Sequence, residues 1–198
     1  MELTKLTVGC TDVGAIGYAA AIARDLLRQD PVEIKLTLSH EIYKNAKNVG
    51  VPGTGERGPR VAALLGTAIN NPSQKLAIFH KVDKEEVRKL KNLQKTVEVS
   101  LFHGGYDTPL WVEVEMLTQE DCVRVILAYD YDYVYRVIKN DVLVKENLML
   151  DGGNKSKSVL NLHAILAIAN GIEEPIPHLI ERIATNVDVD QAVPEDKA

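Results

Sequence analysis

The stretch LWVEVEMLTQEDCVRVIL, residues 110 to 127, decides the fold class of this chain. Apolar and polar side chains alternate along residues 110–117 and again along 122–127. Four polar residues separate the two segments, and alternation with a period of two is typical of half-buried β-strands. Because a connection this short joins antiparallel neighbours, the stretch predicts two paired antiparallel strands.

The same period of two extends the predicted sheet on both sides of this stretch. Strands are predicted at 97–103, 133–138 and 141–146, again joined by short turns and therefore antiparallel to their neighbours. Earlier in the chain, apolar residues alternate with polar ones over 32–39, which predicts another half-buried strand. Together these segments predict a mostly antiparallel sheet.

Helical spacing of apolar residues predicts helices before and after these strands. The predicted helical segments are 13–28, a helix that starts near Pro59, one or two helices within 74–92, a helix from Val159 to Gly171 and a short helix after Pro175. The first has a face of small residues that another backbone can approach closely, and Thr11 or Asp12 is a candidate N-cap. The sequence thus predicts an α+β fold, a mostly antiparallel sheet flanked by helices, in a single domain over 1–185 with a flexible acidic tail over 186–198.

Composition excludes several classes of function. The 198 residues are 45% hydrophobic and 26% charged, which is ordinary for a soluble globular protein, and the net charge of −5 without long runs of one sign argues against a nucleic-acid partner. No apolar run is long enough to span a membrane, and the first residues lack the basic and apolar regions of a signal peptide. The two cysteines, Cys10 and Cys122, have no metal-binding spacing, so we expect a cytoplasmic protein without a metal site of its own.

A glycine-rich loop, GVPGTGERG at residues 50–58, contains the spacing G-x-G-x-x-G. It does not directly follow a strand, as a dinucleotide-binding loop would, and Gly58 precedes a proline instead of the Lys-Ser/Thr of a P-loop. The glycines expose backbone N–H groups just before a predicted helix, which suits a small anion such as a carboxylate. A tight turn that allows close helix packing is the alternative.

Cys10 is a second candidate for chemistry. It lies at the predicted start of a helix, where the helix dipole and free N–H groups lower the pKa of a thiol, although Asp12 nearby opposes this effect. The alternative is a small buried core residue. The tyrosines at 129, 131, 133 and 135 alternate and predict one face of a strand.

Two stretches, GCTDVGAIGYAAAIARDLL at 9–27 and YKNAKNVGVPGTG at 43–55, resemble the signatures of the L-cysteine desulfidases, a family related to the iron–sulfur serine dehydratases. The resemblance implies a lyase that removes H₂S or water from a small amino acid. It implies that the substrate carboxylate is bound by Gly53, Thr54 and Gly55, with Lys44 and Asn45 in support. It gives Cys10 the role of a base or of a contact to the cluster.

The resemblance also implies a partner. Members of that family are about twice as long as this chain, and a second, helical domain carries the cysteines that hold their iron–sulfur cluster. The cluster would therefore lie on a partner domain or chain, a cluster-binding catalytic subunit, and this chain would be inactive without it. The sequence departs from the family at Asp12, Val13 and 128–131, so a non-catalytic small-carboxylate-binding or regulatory module, or a structural protein, stays open, as does a homo-oligomer.

Overall fold

A computed structural model of the chain describes residues 7–93, 97–103 and 110–147. Within these ranges the chain alternates early helices with one strand and then forms consecutive strands. In chain order the elements are α1 (Thr11–Leu27), β1 (Glu33–Leu38), α2 (His40–Ala46), α3 (Pro59–Ile69), a 3₁₀-helix (Pro72–Ala77), α4 (Lys84–Leu93), β2 (Val97–Leu101), β3 (Trp111–Leu117), β4 (Cys122–Ala128), β5 (Val134–Lys139) and β6 (Val142–Glu146).

The strands form one sheet in the order β2-β1-β3-β4-β5-β6. The β1–β2 pair is parallel and the other four pairs are antiparallel, which confirms the α+β class and the mostly antiparallel sheet. The prediction that β2 and β3 are neighbours because a short connection joins them is wrong. Leu36 of β1 pairs with Val99 on one side and with Val114 on the other, so β1 lies between these two strands. Every second residue of β1 is buried in the core. Placing this apolar strand in the middle of the sheet buries it better than direct pairing of β2 with β3 would.

Several local predictions also need correction. The seven-residue helix α2 was not predicted, because only Ile42 and Ala46 of it are buried and its apolar period is too short to recognise. The tyrosine run is not a strand face, since Tyr129 has a φ of 68° and residues 129–132 form a turn before β5. The predicted helices after 159 and 175, the domain end at 185 and the acidic tail lie outside the described residues.

Helix α1 is the centre of the core. Twelve of its 17 residues are buried, and it packs against β3 and β4 on one side and against α3 and the 3₁₀-helix on the other. A Cβ added to Gly66 of α3 would overlap the carbonyl oxygen of Gly17, and a Cβ added to Gly17 would overlap the ring of Phe79. The two helix backbones are therefore in direct contact, as the small-residue face predicted. No helix in the described parts of the chain is long and apolar enough to cross a bilayer.

The Gly66→Ala substitution is expected to destabilise the fold by about 3 kcal/mol, the upper end for overpacking, because its Cβ meets backbone that has no rotamer to change. The midpoint of urea unfolding, followed by circular dichroism, measures the loss. Gly50→Ala is the matched control, because a Cβ at Gly50 has no atom within 4 Å. Equal midpoints for the two variants would show that the helices have room to separate.

Candidate functional site

The structure brings the start of α1 and the glycine loop together. Gly9 has a φ of 67°, and a Cβ placed on it would lie 3.5 Å from Cγ of Pro52 in the loop. Cys10 follows directly as the N-cap of α1, with an extended backbone and no side-chain capping bond. The predicted caps Thr11 and Asp12 lie one and two positions inside the helix. The contact at Gly9 therefore places Cys10 beside the loop.

Thr54 shapes the glycine loop from within. Its hydroxyl donates to the carbonyl of Val51 at 2.8 Å and accepts the N–H of Glu56 at 3.0 Å. The N–H of Val51 in turn donates to the carbonyl of Glu56 at 2.8 Å, which closes the loop. The Thr54 hydroxyl is therefore engaged in holding the loop, and its predicted contact with a substrate stays a prediction.

The two predicted glycines of the loop tip have different surroundings. Gly53 has a φ of 78°, and a Cβ on it would lie 2.6 Å from Cβ of Val82. Gly55 has a φ of 69°, and a Cβ on it would have no atom within 4 Å. Both residues are exposed, and in the described part of the chain neither N–H donates to a protein acceptor. Two exposed donors at a loop tip are a geometry that small anions bind.

Lys44 and Asn45 lie on α2 and are exposed. Neither side chain makes a hydrogen bond or an ion pair with the residues that the structure describes. The residues that line a cavity with the end of the loop are instead Tyr43 of α2 and its C-cap Lys47. The supporting role of Lys44 and Asn45 at the substrate therefore stays a prediction.

Cys10 and Asp12 form a pair at the start of α1. The Cys10 thiol donates to Oδ2 of Asp12 across 3.3 Å. Burial raises the pKa of the Cys10 thiol, and the hydrogen bond and negative charge of Asp12 raise it further, against the lowering effect of the Val13 N–H. The expectation of a lowered thiol pKa is therefore wrong, because desolvation and Asp12 outweigh the backbone dipoles.

Asp12 itself is the feature that sequence analysis missed as a site residue. It is only 6% exposed, and its Oδ1 atom is buried without a hydrogen-bond partner among the residues that the structure describes. Tyr131, in the turn after β4, lies close enough that burial and the charges of Asp12 and Cys10 raise the pKa of its phenol. The sequence did contain a signal: Asp12 is a carboxylate on the alanine-rich face of a helix, where a charged side chain contributes nothing to apolar packing.

The residues of this region do not fit an iron–sulfur cluster. Cys122 opens β4, and its carbonyl accepts the N–H of Asn140, while the neighbouring Lys139 contacts the carbonyl of Leu26 at the far end of α1. The 17 residues of α1 rise about 1.5 Å each, so the two cysteines lie near opposite ends of this helix, too far apart to bind one cluster. Among the described residues no group of His, Cys, Asp and Glu is placed to hold a metal ion.

Comparison with known proteins finds relatives but no activity. A UPF0597 protein of Methanocella arvoryzae is 37% identical over 131 residues, which are 66% of this chain and 31% of the relative. A UPF0597 protein of Clostridium perfringens is 32% identical over 139 residues, 70% of this chain and 33% of the relative. A UPF0597 protein of Aeromonas salmonicida is 28% identical over 196 residues, 96% of this chain and 43% of the relative. No protein-family model matches the chain, and no solved structure is similar to it.

These relatives correct the assignment to the L-cysteine desulfidases, which is wrong: the similar proteins carry the name UPF0597, which states neither a desulfidase nor a dehydratase activity. Glycine and alanine make up 12 of the 32 residues in the two motifs that suggested the assignment. Gly17 is required for the contact between α1 and α3, and Gly53 and Gly55 have positive φ angles, so these glycines do not specify a reaction. The chain spans about a third of the length of the first two relatives.

The Asp12→Asn substitution is expected to speed alkylation of Cys10 by about three- to tenfold at pH 8, because it removes a negative charge that raises the thiol pKa. Mass spectrometry of peptides after timed iodoacetamide treatment measures the rate at each cysteine. Cys122 is the internal control, since burial and Glu115, not Asp12, raise its pKa. An unchanged or slower alkylation rate at Cys10 would show that Asp12 does not raise the pKa of this thiol.

Proposed function

We propose that this chain, which is similar to part of the UPF0597 proteins, binds a small α-amino acid between the start of α1 and the glycine loop. The observation that carries the proposal is the buried Oδ1 of Asp12, which has no hydrogen-bond partner among the described residues. The start of its helix contacts the glycine loop at Pro52, and the exposed Gly53 and Gly55 of that loop have N–H groups that donate to no described acceptor. An amino acid is a zwitterion, so its two charged ends match these two groups.

The carboxylate end binds to the loop. The N–H groups of Gly53 and Gly55 donate to the carboxylate oxygens, in the manner of other backbone concavities that hold anions. Positive φ at both residues orients these groups without a side chain in the way, and Thr54 keeps the loop in this shape. The N-terminus of α1 adds a favourable dipole on the same side.

The ammonium end binds to Asp12. A buried polar atom without a hydrogen bond costs about 1–3 kcal/mol, and an ammonium donor removes that cost while it neutralises the carboxylate. Oδ1 is buried in the free chain, so binding includes a small local displacement that opens it to the ligand. A hydroxy acid of the same shape lacks the positive charge and binds more weakly.

The second candidate function is a β-elimination of the bound amino acid, and the hydrogen bond from Cys10 to Asp12 favours it because the pair handles a proton. Oδ2 of Asp12 takes the thiol proton through this hydrogen bond, and the Cys10 thiolate so formed takes the Cα proton. The electron pair of that bond forms the Cα–Cβ double bond, and sulfide or hydroxide leaves from Cβ. The resulting aminoacrylate hydrolyses to pyruvate and ammonia. The elimination also needs an acid to assist the leaving group, and a partner domain or chain supplies it.

L-Serine is expected to raise the melting temperature of the wild type more than glycerate, its hydroxy-acid counterpart, because only serine carries an ammonium group for Asp12. In Asp12→Asn the serine response is expected to fall to that of glycerate, a loss of about tenfold in affinity, or about 1.4 kcal/mol. Differential scanning fluorimetry over a concentration series measures these shifts.

Two further variants complete this experiment. Asp25→Asn makes the same change at an exposed position of α1 and should leave both responses intact. Gly55→Val should abolish both, because it places a branched side chain at a φ of 69° where the carboxylate binds. Equal responses to serine and glycerate in the wild type would reject an amino-acid site, and no response to either would reject the site itself.

A further inference from the structure

An open cavity of about 300 Å³ lies where the end of α2, the end of the glycine loop and the start of α3 meet. We call it the basic pocket, after the charge of its side chains. The side chains that line it are Tyr43, Lys47, Arg57, Pro59, Arg60 and Val99. Neither Cys10 nor Gly55 lines it, so it is separate from the proposed amino-acid site.

The basic pocket concentrates positive charge in an acidic chain. Lys47, Arg57 and Arg60 all line it and no carboxylate does, although the chain as a whole has a net charge of −5. Within the described residues Lys47 and Arg60 have no ion-pair partner. Like charges around one cavity repel each other, and a bound anion converts that repulsion into attraction.

Backbone groups add to this charge. A Cβ on Gly58, whose φ is 95°, would lie 3.1 Å from the carbonyl oxygen of Lys47, so glycine allows α2 to end beside the start of α3. Helix α3 begins at Pro59, and its first intrahelical donor is the N–H of Ala62. The N–H group of Arg60, which lines the pocket, therefore has no helical acceptor and lies at the positive end of the helix dipole.

We propose that the basic pocket binds the phosphoryl group of a small phosphomonoester. A phosphoryl dianion has two charges and three terminal oxygens for the cations and N–H groups that converge here, whereas a carboxylate has one charge and two oxygens. Tyr43 and Val99 supply an apolar wall for the organic part of the ligand. A volume of about 300 Å³ is at the small end for ligand cavities, which restricts that part to a few atoms or one ring.

Isothermal titration calorimetry at constant ionic strength tests the proposal with three probes: phenyl phosphate, inorganic phosphate and benzoate. Phenyl phosphate is expected to bind at least several-fold more tightly than inorganic phosphate, and benzoate is expected not to bind. Lys47→Gln and Arg60→Gln are each expected to weaken phenyl phosphate binding about tenfold, because each removes one charge-assisted contact.

Lys91→Gln and Arg88→Gln are the matched controls, since they remove the same charges from exposed positions of α4 and should change the affinity less than twofold. Circular dichroism confirms that each variant is folded. Equal affinity for phenyl phosphate and inorganic phosphate would reject the claim that the pocket contacts the organic part of the ligand. Equal losses in the α4 controls, binding of benzoate as tight as that of phenyl phosphate, or no heat from either phosphate would overturn the pocket.

Discussion

The rest of the structure depends on the contact between α1 and α3, where the backbone of Gly66 meets the carbonyl of Gly17 without room for a Cβ. Gly14 repeats the same constraint one turn earlier, since a Cβ there would lie 3.0 Å from the carbonyl of Leu76 in the 3₁₀-helix. The start of α1 lies beside the loop that leads into α3, since a Cβ on Gly9 would lie 3.5 Å from Cγ of Pro52. The candidate site therefore includes the start of the helix that forms the centre of the core.

This packing also explains the chemistry of the site. A helix start usually favours a thiolate, but α1 is so deeply placed that desolvation raises the pKa of Cys10, and Asp12 raises it again. The same burial leaves one oxygen of Asp12 without a hydrogen-bond partner in the described part of the chain. A buried, half-satisfied carboxylate is costly, so its presence indicates a cationic ligand more directly than the glycine loop does, which on its own is equally consistent with a turn.

Periodic patterns within single segments predicted the helices and strands well, but they did not predict contacts between segments that are distant in the sequence. The alternation in β3 and β4 identified their pairing because a four-residue turn joins them, whereas β1 enters the sheet between β2 and β3 through contacts far apart in sequence. The small face of α1 predicted the close approach of another backbone, but only the structure identifies that backbone as Gly66. The direction of the Cys10 pKa shift was predicted wrongly for the same reason, because the burial that raises this pKa depends on how the whole core packs.

The most direct test of the central claim, that the start of α1 and the glycine loop form one site, is a titration of ¹⁵N-labelled protein with L-alanine followed by NMR. The amide signals of Gly53 and Gly55 and those of Cys10 and Thr11 are expected to shift together along one binding curve, because a single zwitterion contacts both segments. Shifts confined to one segment, or separate curves for the two, would contradict the account.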